Sequence, residues 1–166
     1  MKTGILMSAC LIGSLIAITE PASAAEANST PQDVTLSPDL LNLLRAEMRE
    51  ISGGVQGMAL AIATGDWRSI QATSAKIRAS YILDRKLTAA QATELTTALP
   101  ERFKTLDAEF HHRAGQIGAA AAARDAELVV FHYSRLLEGC TACHSGFAKS
   151  RFPAFSPAVT EPEHHH

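Results

Sequence analysis

Apolar residues recur along this chain at alternating spacings of three and four, the rhythm of a helix that buries one face. The longest such stripe is Leu41, Leu44, Met48, Ile51, Val55, Met58 and Ile62. Before it stands Ser37-Pro38-Asp39: a hydroxyl to cap free amides, a proline at the first helical position and an acid in the first turn. Thr64-Gly65 ends it, with glycine as the C-terminal cap. The pattern predicts a helix over 38–64. Asp66 can cap a second, over 66–83, with the stripe Trp67, Ile70, Ser74, Ile77 and Tyr81, broken at Asp84-Arg85-Lys86. Thr88 with Gln91 makes a capping box for a short helical crossover within 88–98. Pro100 suits the first turn of a third long helix over 101–123, carrying Phe103, Leu106, Phe110, Ala114, Ile117 and Ala121. Asp125 opens a fourth over 126–150, with Val129, Tyr133, Leu136, Cys140, Cys143 and Phe147, until Pro153 and Pro157 stop regular structure. No useful stretch alternates with period two. The fold class expected is all-α, an antiparallel four-helix bundle.

The ends of the chain read differently. Lys2, the apolar run Ile5 to Ile18 and the small residues Ala22-Ser23-Ala24 have the layout of a cleaved export signal. The run is short for a membrane span, which needs about 20 apolar residues, and Glu20-Pro21 ends it. Residues 1–24 are therefore expected to be a signal peptide, 25–36 a flexible leader, 37–155 one helical domain and 156–166 a tail, with the protein exported to the periplasm and no membrane span after cleavage. Composition agrees with a globular core: 46% of residues are hydrophobic and 19% charged. Fifteen Lys and Arg against 17 Asp and Glu, with no basic block, argue against a nucleic-acid or anionic-membrane partner.

Cleavage removes Cys10 and leaves Cys140 and Cys143 in an oxidising compartment, where an idle thiol pair is a liability. With their neighbours they form Cys140-Thr141-Ala142-Cys143-His144, the attachment motif of c-type haem. Positions three and four apart share a helix face, so two thiols can each take a haem vinyl group while the next imidazole reaches the iron. Other readings are weaker. A thioredoxin-like CxxC needs a preceding strand, a zinc site needs a second ligand pair, and a disulfide between helix positions three apart has poor geometry. His111, His112 and His132 read as structural, and Glu163-His164-His165-His166 as a loose chelating tail. Ala119 to Ala123 reads equally well as a strong helix former or as a smooth wall for a broad, flat group.

A helical chain of this pattern with CxxCH near the end of its last helix resembles the class II cytochromes c, the family of cytochrome c prime and its low-spin, Met-ligated relatives. The resemblance covers roughly residues 37–155. It implies one covalent haem c per chain on Cys140 and Cys143, with His144 as proximal iron ligand, lying inside the bundle with its far side toward the first helix. There it makes Met48 the distal ligand of the Met-ligated branch, where residue spacing alone does not decide between ligation and ordinary core packing; Met58, about 15 Å further along the helix, is core. Two positions depart from the family pattern: Leu44, with Arg45 and Arg49 flanking, stands where many members carry Arg, and Ala148, followed by Lys149, where cytochromes c prime carry a basic residue. Family members are often dimers through their first two helices, so a homodimer is an implied state.

An iron held by imidazole and thioether has no open position and exchanges single electrons with redox partner proteins. No nucleophile with its base, phosphate loop or nucleotide fingerprint is present, so the expected function is electron carriage and not an enzyme activity. The alternative is a five-coordinate haem protein that binds nitric oxide or carbon monoxide. A third reading is a bundle without haem that holds a metal or a disulfide at the two cysteines. Gly53, Gly54 and Gly57 inside the first helix either loosen it or allow something to approach closely.

Overall fold

The structure is a computed structural model, described here for residues 33–155. The expected signal peptide, most of the leader and the C-terminal tail, with its histidines, lie outside the described residues. All regular structure among the described residues is helical: α1 (Pro38–Thr64), α2 (Trp67–Arg78), the short α3 (Leu83–Lys86), α4 (Ala89–Ala98), α5 (Glu101–Ala122), α6 (Ala126–Phe147) and a final 3-10 turn, Pro153–Phe155.

Neighbouring side chains give the topology. Gly54 of α1 lies against Thr73 and Tyr81, Ser74 and Arg78 of α2 against Gly118 and Gly115, and Phe110 of α5 against Gly139 of α6. Phe103 meets Phe147 edge to face, with ring centroids 5.4 Å apart. Numbers that rise along one helix fall along the next, so α1, α2, α5 and α6 run alternately up and down. The core between them is Ile51, Val55, Met58, Ile70, Ile77, Ala114, Ile117, Val129 and Leu136, with small alanines between. Met58 is fully buried, as expected.

Several local expectations hold at atomic detail. Gly65 closes α1 in the left-handed region at φ 68°, its N–H and that of Asp66 returning to Ile62 and Ala61 carbonyls. Asp66 and Asp125 cap α2 and α6 by accepting from the Ser69 and Leu128 amides. The Thr88/Gln91 capping box is complete. Ser37 departs from expectation: it makes no cap on α1, and its hydroxyl instead donates to the Glu94 carboxylate at 2.8 Å, tying α4 to the start of α1.

The largest correction concerns α1. Its buried positions are Leu40, Leu44, Glu47, Ile51, Val55, Met58 and Ala61, so the stripe turns on Glu47 and not on Met48. Glu47 is 1% exposed, whereas Met48 is 38% exposed. The reason is the carboxylate's three partners. It accepts from the backbone N–H groups of Tyr81 at 2.7 Å, Ile82 at 2.5 Å and Leu83 at 3.3 Å. In a longer α2 those amides would bond the carbonyls of residues 77–79; given to Glu47, they cannot. This is why α2 stops at Arg78 rather than 83, with Ser80 at φ 56° reversing the chain and α3 starting afresh under the Glu47 carboxylate.

The α6 helix ends at Phe147 and not near 150. Val34 N–H donates to the Phe147 carbonyl and the Asp33 carboxylate accepts from Ser150 N–H, so part of the segment expected to be leader is laid against the end of α6. Glycine 54 explains one of the three helical glycines: a Cβ there would come within 2.5 Å of the Tyr81 hydroxyl, so its absence lets that ring lie on α1.

Replacing Glu47 by Ala leaves three part-buried amides without their acceptor. A loss of about 3 kcal/mol in unfolding free energy is expected, against a smaller loss for Glu47→Gln, which keeps an acceptor oxygen. Chemical denaturation of the two variants beside wild type measures both, and a loss below about 1 kcal/mol for Glu47→Ala refutes the assigned role.

Candidate haem-attachment site

Cys140 and Cys143 lie one turn apart on α6, both half-buried and both free thiols. The Cys140 thiol donates weakly to the Leu136 carbonyl at 3.6 Å, inside the helix's own preceding turn. Burial pushes both thiols up in pKa; Cys143 rises to about 11, with the Asp107 carboxylate and Cys140 as further causes. At neutral pH each sulfur therefore carries its proton. His144 follows on the adjoining flank. Its imidazole is half-buried, stays neutral because burial and then Arg151 hold its pKa down, and stacks on Phe152 with centroids 4.1 Å apart and planes 13° from parallel. No hydrogen bond holds either ring nitrogen among the described residues.

The position of Met48 follows from register. Tyr133 of α6 donates its hydroxyl to the Val55 carbonyl of α1 at 3.0 Å, which fixes the two helices relative to each other. Met48 stands seven residues before Val55 and Cys140 seven residues after Tyr133. Seven residues are nearly two full turns, so each lies about 10 Å from its reference residue, toward the same end of the bundle. Met48 and Cys140 are thus at a similar level of the bundle. Met48 is 38% exposed and not in the packed core, because Glu47, about 100° around the helix, occupies the inward position.

That end of the bundle differs from the other. The contiguous core cluster reaches Ile51 on α1 and Leu136 on α6, with half-buried Phe110 packed against it; beyond it Leu40, Leu44, Leu99 and Phe147 are buried, while Phe103, Leu106, Cys140 and Cys143 are half-buried. The alanine patch resolves to its plainer reading. Ala120 and Ala121 are core residues level with Val129, at the end remote from the cysteines, and do not border them.

Of the other histidines, His111 has a defined structural role. Its Nδ1 lies 2.6 Å from the Ile77 carbonyl at the end of α2, which makes that nitrogen a donor, and Nε2 lies 3.6 Å from Asp107. His112 contacts Gln116 on the surface. Nδ1 of His132 is enclosed without a partner, and burial lowers the pKa of that ring. Arg45 and Arg49 are exposed. Two shallow clefts lie away from the thiols, one at Asp66, Trp67 and Arg124 and one at Arg78, His111 and Gly115. Among the described residues no three side chains of His, Cys, Asp and Glu converge as a metal site would require. Sequence reasoning missed Glu47 and Phe152. The first was legible as an acid with the 4-3-4 spacing of Leu40, Leu44 and Ile51; the second had no periodic signal.

No protein-family model matches the chain, and neither the curated proteins nor the solved structures compared with it give a match.

Protonated His111 is favoured by Asp107, and its pKa is raised by that carboxylate against the opposing effect of burial. A group with a raised folded pKa stabilises fully below its unfolded value and loses that contribution as pH climbs through the folded value. The contribution of this pair is therefore lost as pH rises above about 6.5, against the opposite slope of His132 and His144, so over that range wild type should lose stability relative to Asp107→Asn. Equal slopes for wild type and variant would remove Asp107 from the account.

Proposed function

We propose that this protein is a c-type cytochrome of the class II kind: an exported, single-haem electron carrier and not an enzyme. The observation that supports it is the donor set on α6, two protonated thiols on one helix face followed at once by a neutral imidazole free of hydrogen bonds. That set suits haem c. Addition of a thiol across a vinyl group places sulfur on one carbon and hydrogen on the other and needs no oxidant, so both cysteines are used without a disulfide. His144 would be the proximal iron ligand and Met48, on α1 at the level of the Cys140 turn, the distal one. When bound, the haem iron supplies one-electron redox chemistry.

What the chain contributes is position and environment. Helix α6 sets the spacing of the three residues. Helix α1, held in its roll by buried Glu47, carries Met48 at the level of the Cys140 turn. The half-buried aromatics Phe103 and Phe110 give that end of the bundle an apolar lining. The zinc alternative is not favoured, because it needs more ligands than converge among the described residues.

Expression with a cytochrome c maturation system followed by acid-acetone extraction tests attachment. Haem is expected to stay with the protein, and to extract freely when Cys140 and Cys143 are both changed to Ser. Haem that leaves the wild-type chain refutes the proposal.

The axial assignment has its own measurement. Ferrous wild type should be six-coordinate and low-spin, and Met48→Ala should become five-coordinate and bind carbon monoxide on the order of tenfold more tightly, since the gas no longer competes with a resident ligand. A five-coordinate wild type that takes up carbon monoxide readily would replace the electron carrier by the gas-binding reading.

A further inference from the structure

The residues after α6 are built for a purpose that the CxxCH motif does not account for. Helix α6 ends at Phe147, and the chain turns back sharply: the amides of Arg151 and Phe152 both donate to the Ala148 carbonyl, at 3.1 and 3.0 Å, and Phe155 N–H donates to the Phe152 carbonyl. The Asp33 carboxylate holds the turn from outside through Ser150 N–H, and the Arg151 guanidinium lies 5.9 Å from the centre of the Phe152 ring. The product of this construction is one contact, the nearly parallel stack of Phe152 on the His144 imidazole.

A stack of this geometry covers the face of the imidazole and leaves its edge free. Both ring nitrogens lie on the edge, in the ring plane, so the contact holds the ring without occupying the atom that would bind a metal. An imidazole that has no hydrogen bond among the described residues can otherwise rotate about its side-chain torsions. Metal-bound histidines ordinarily have their orientation set by a hydrogen bond from the second ring nitrogen.

We propose that Phe152 is a positioning residue for His144, fixing the plane of the imidazole by stacking where a hydrogen bond would ordinarily do so. The inference rests on the reading of His144 as an iron ligand. It assigns the post-helical turn, residues 148–155, to the site, and it makes Phe155 a supporting residue: its ring is tilted and 6.4 Å from both His144 and Phe152.

The test uses the haem-loaded protein with Phe152→Leu, Phe152→Tyr and Phe155→Leu. Covalent haem content is measured first, by acid-acetone extraction. Ferric electron paramagnetic resonance then reads the imidazole plane through the spread of the g values. Phe152→Leu should keep its haem but show shifted or broadened g values, Phe152→Tyr should restore the wild-type spectrum by retaining the stack, and Phe155→Leu should lower thermal stability with the spectrum unchanged. A wild-type chain without haem overturns the haem reading itself. Haem present in all variants, with Phe152→Leu spectroscopically identical to wild type, overturns this proposal alone and reduces Phe152 to packing. Should Phe152→Leu fail to accumulate, Phe152→Met provides the same comparison with a larger apolar side chain; identity with wild type there is equally decisive against the stack.

Discussion

The arrangement of this bundle depends on one buried carboxylate. Glu47 is a charge-bearing group placed where α1 would ordinarily carry a leucine, and such a group is tolerated in a dry interior only if it is fully hydrogen-bonded. Its three amide partners come from a single turn at the end of α2, residues 81–83. The bonds therefore act on two elements at once. They fix the roll of α1 about its own axis, and they end α2 and begin α3. Apolar packing could not do this alone, because Leu40, Leu44, Ile51 and Val55 would accept a modest rotation of the helix with little loss, whereas three directional hydrogen bonds would not.

From that roll follows the asymmetry between the two ends of the bundle. At the end holding Met58, Ile70, Ile117 and Val129, the helices meet through a continuous apolar core in which alanines and glycines of α5 allow close approach. At the other end, α1 buries a carboxylate beside Leu40 and Leu44 and leaves a methionine exposed, and α6 carries two half-buried cysteines. The contiguous apolar core is thus concentrated at one end and the half-buried thiols at the other. Such a division is reasonable physically, because residues needed for reactivity are poor packers, and a well-packed neighbouring core can hold them in place.

The fold was legible in the sequence because helices advertise themselves locally. Capping residues Asp66, Thr88 and Asp125, the left-handed Gly65 and the stripes of α2, α5 and α6 all act over distances of a few residues, and the structure keeps them. What failed was a choice that local patterning cannot make. Two stripes share the first helix, one through Leu41, Met48 and Ile62 and one through Leu40, Glu47 and Ala61, with Leu44, Ile51, Val55 and Met58 common to both. Hydrophobicity prefers the first. The amides at 81–83, more than 30 residues away, select the second. Likewise Ser37 reads as a cap until Glu94 arrives from α4 to take its hydroxyl. The cysteines and His144 were found by spacing, which is a chemical constraint within one turn and a half of helix, whereas Phe152 acts across a non-periodic turn and leaves no pattern to read.

The exposure of Met48 is consistent with its proposed role once the energetics of a thioether are considered. A core methionine is held by packing on all sides, and drawing it out to reach a metal would forfeit that packing, on the order of 2 to 3 kcal/mol for a side chain of its size. A thioether is a weak neutral ligand and offers little to offset such a loss. An edge methionine has already given up part of that burial in exchange for none of its flexibility, so bringing it under cover gains apolar contact as well as a ligand bond. The same residue fully buried would be the poorer candidate. In this bundle Met58 is that residue: completely enclosed, beyond the level of the cysteines and committed to the core. The inward turn of Glu47 is what leaves Met48, one position on, outside the packed core.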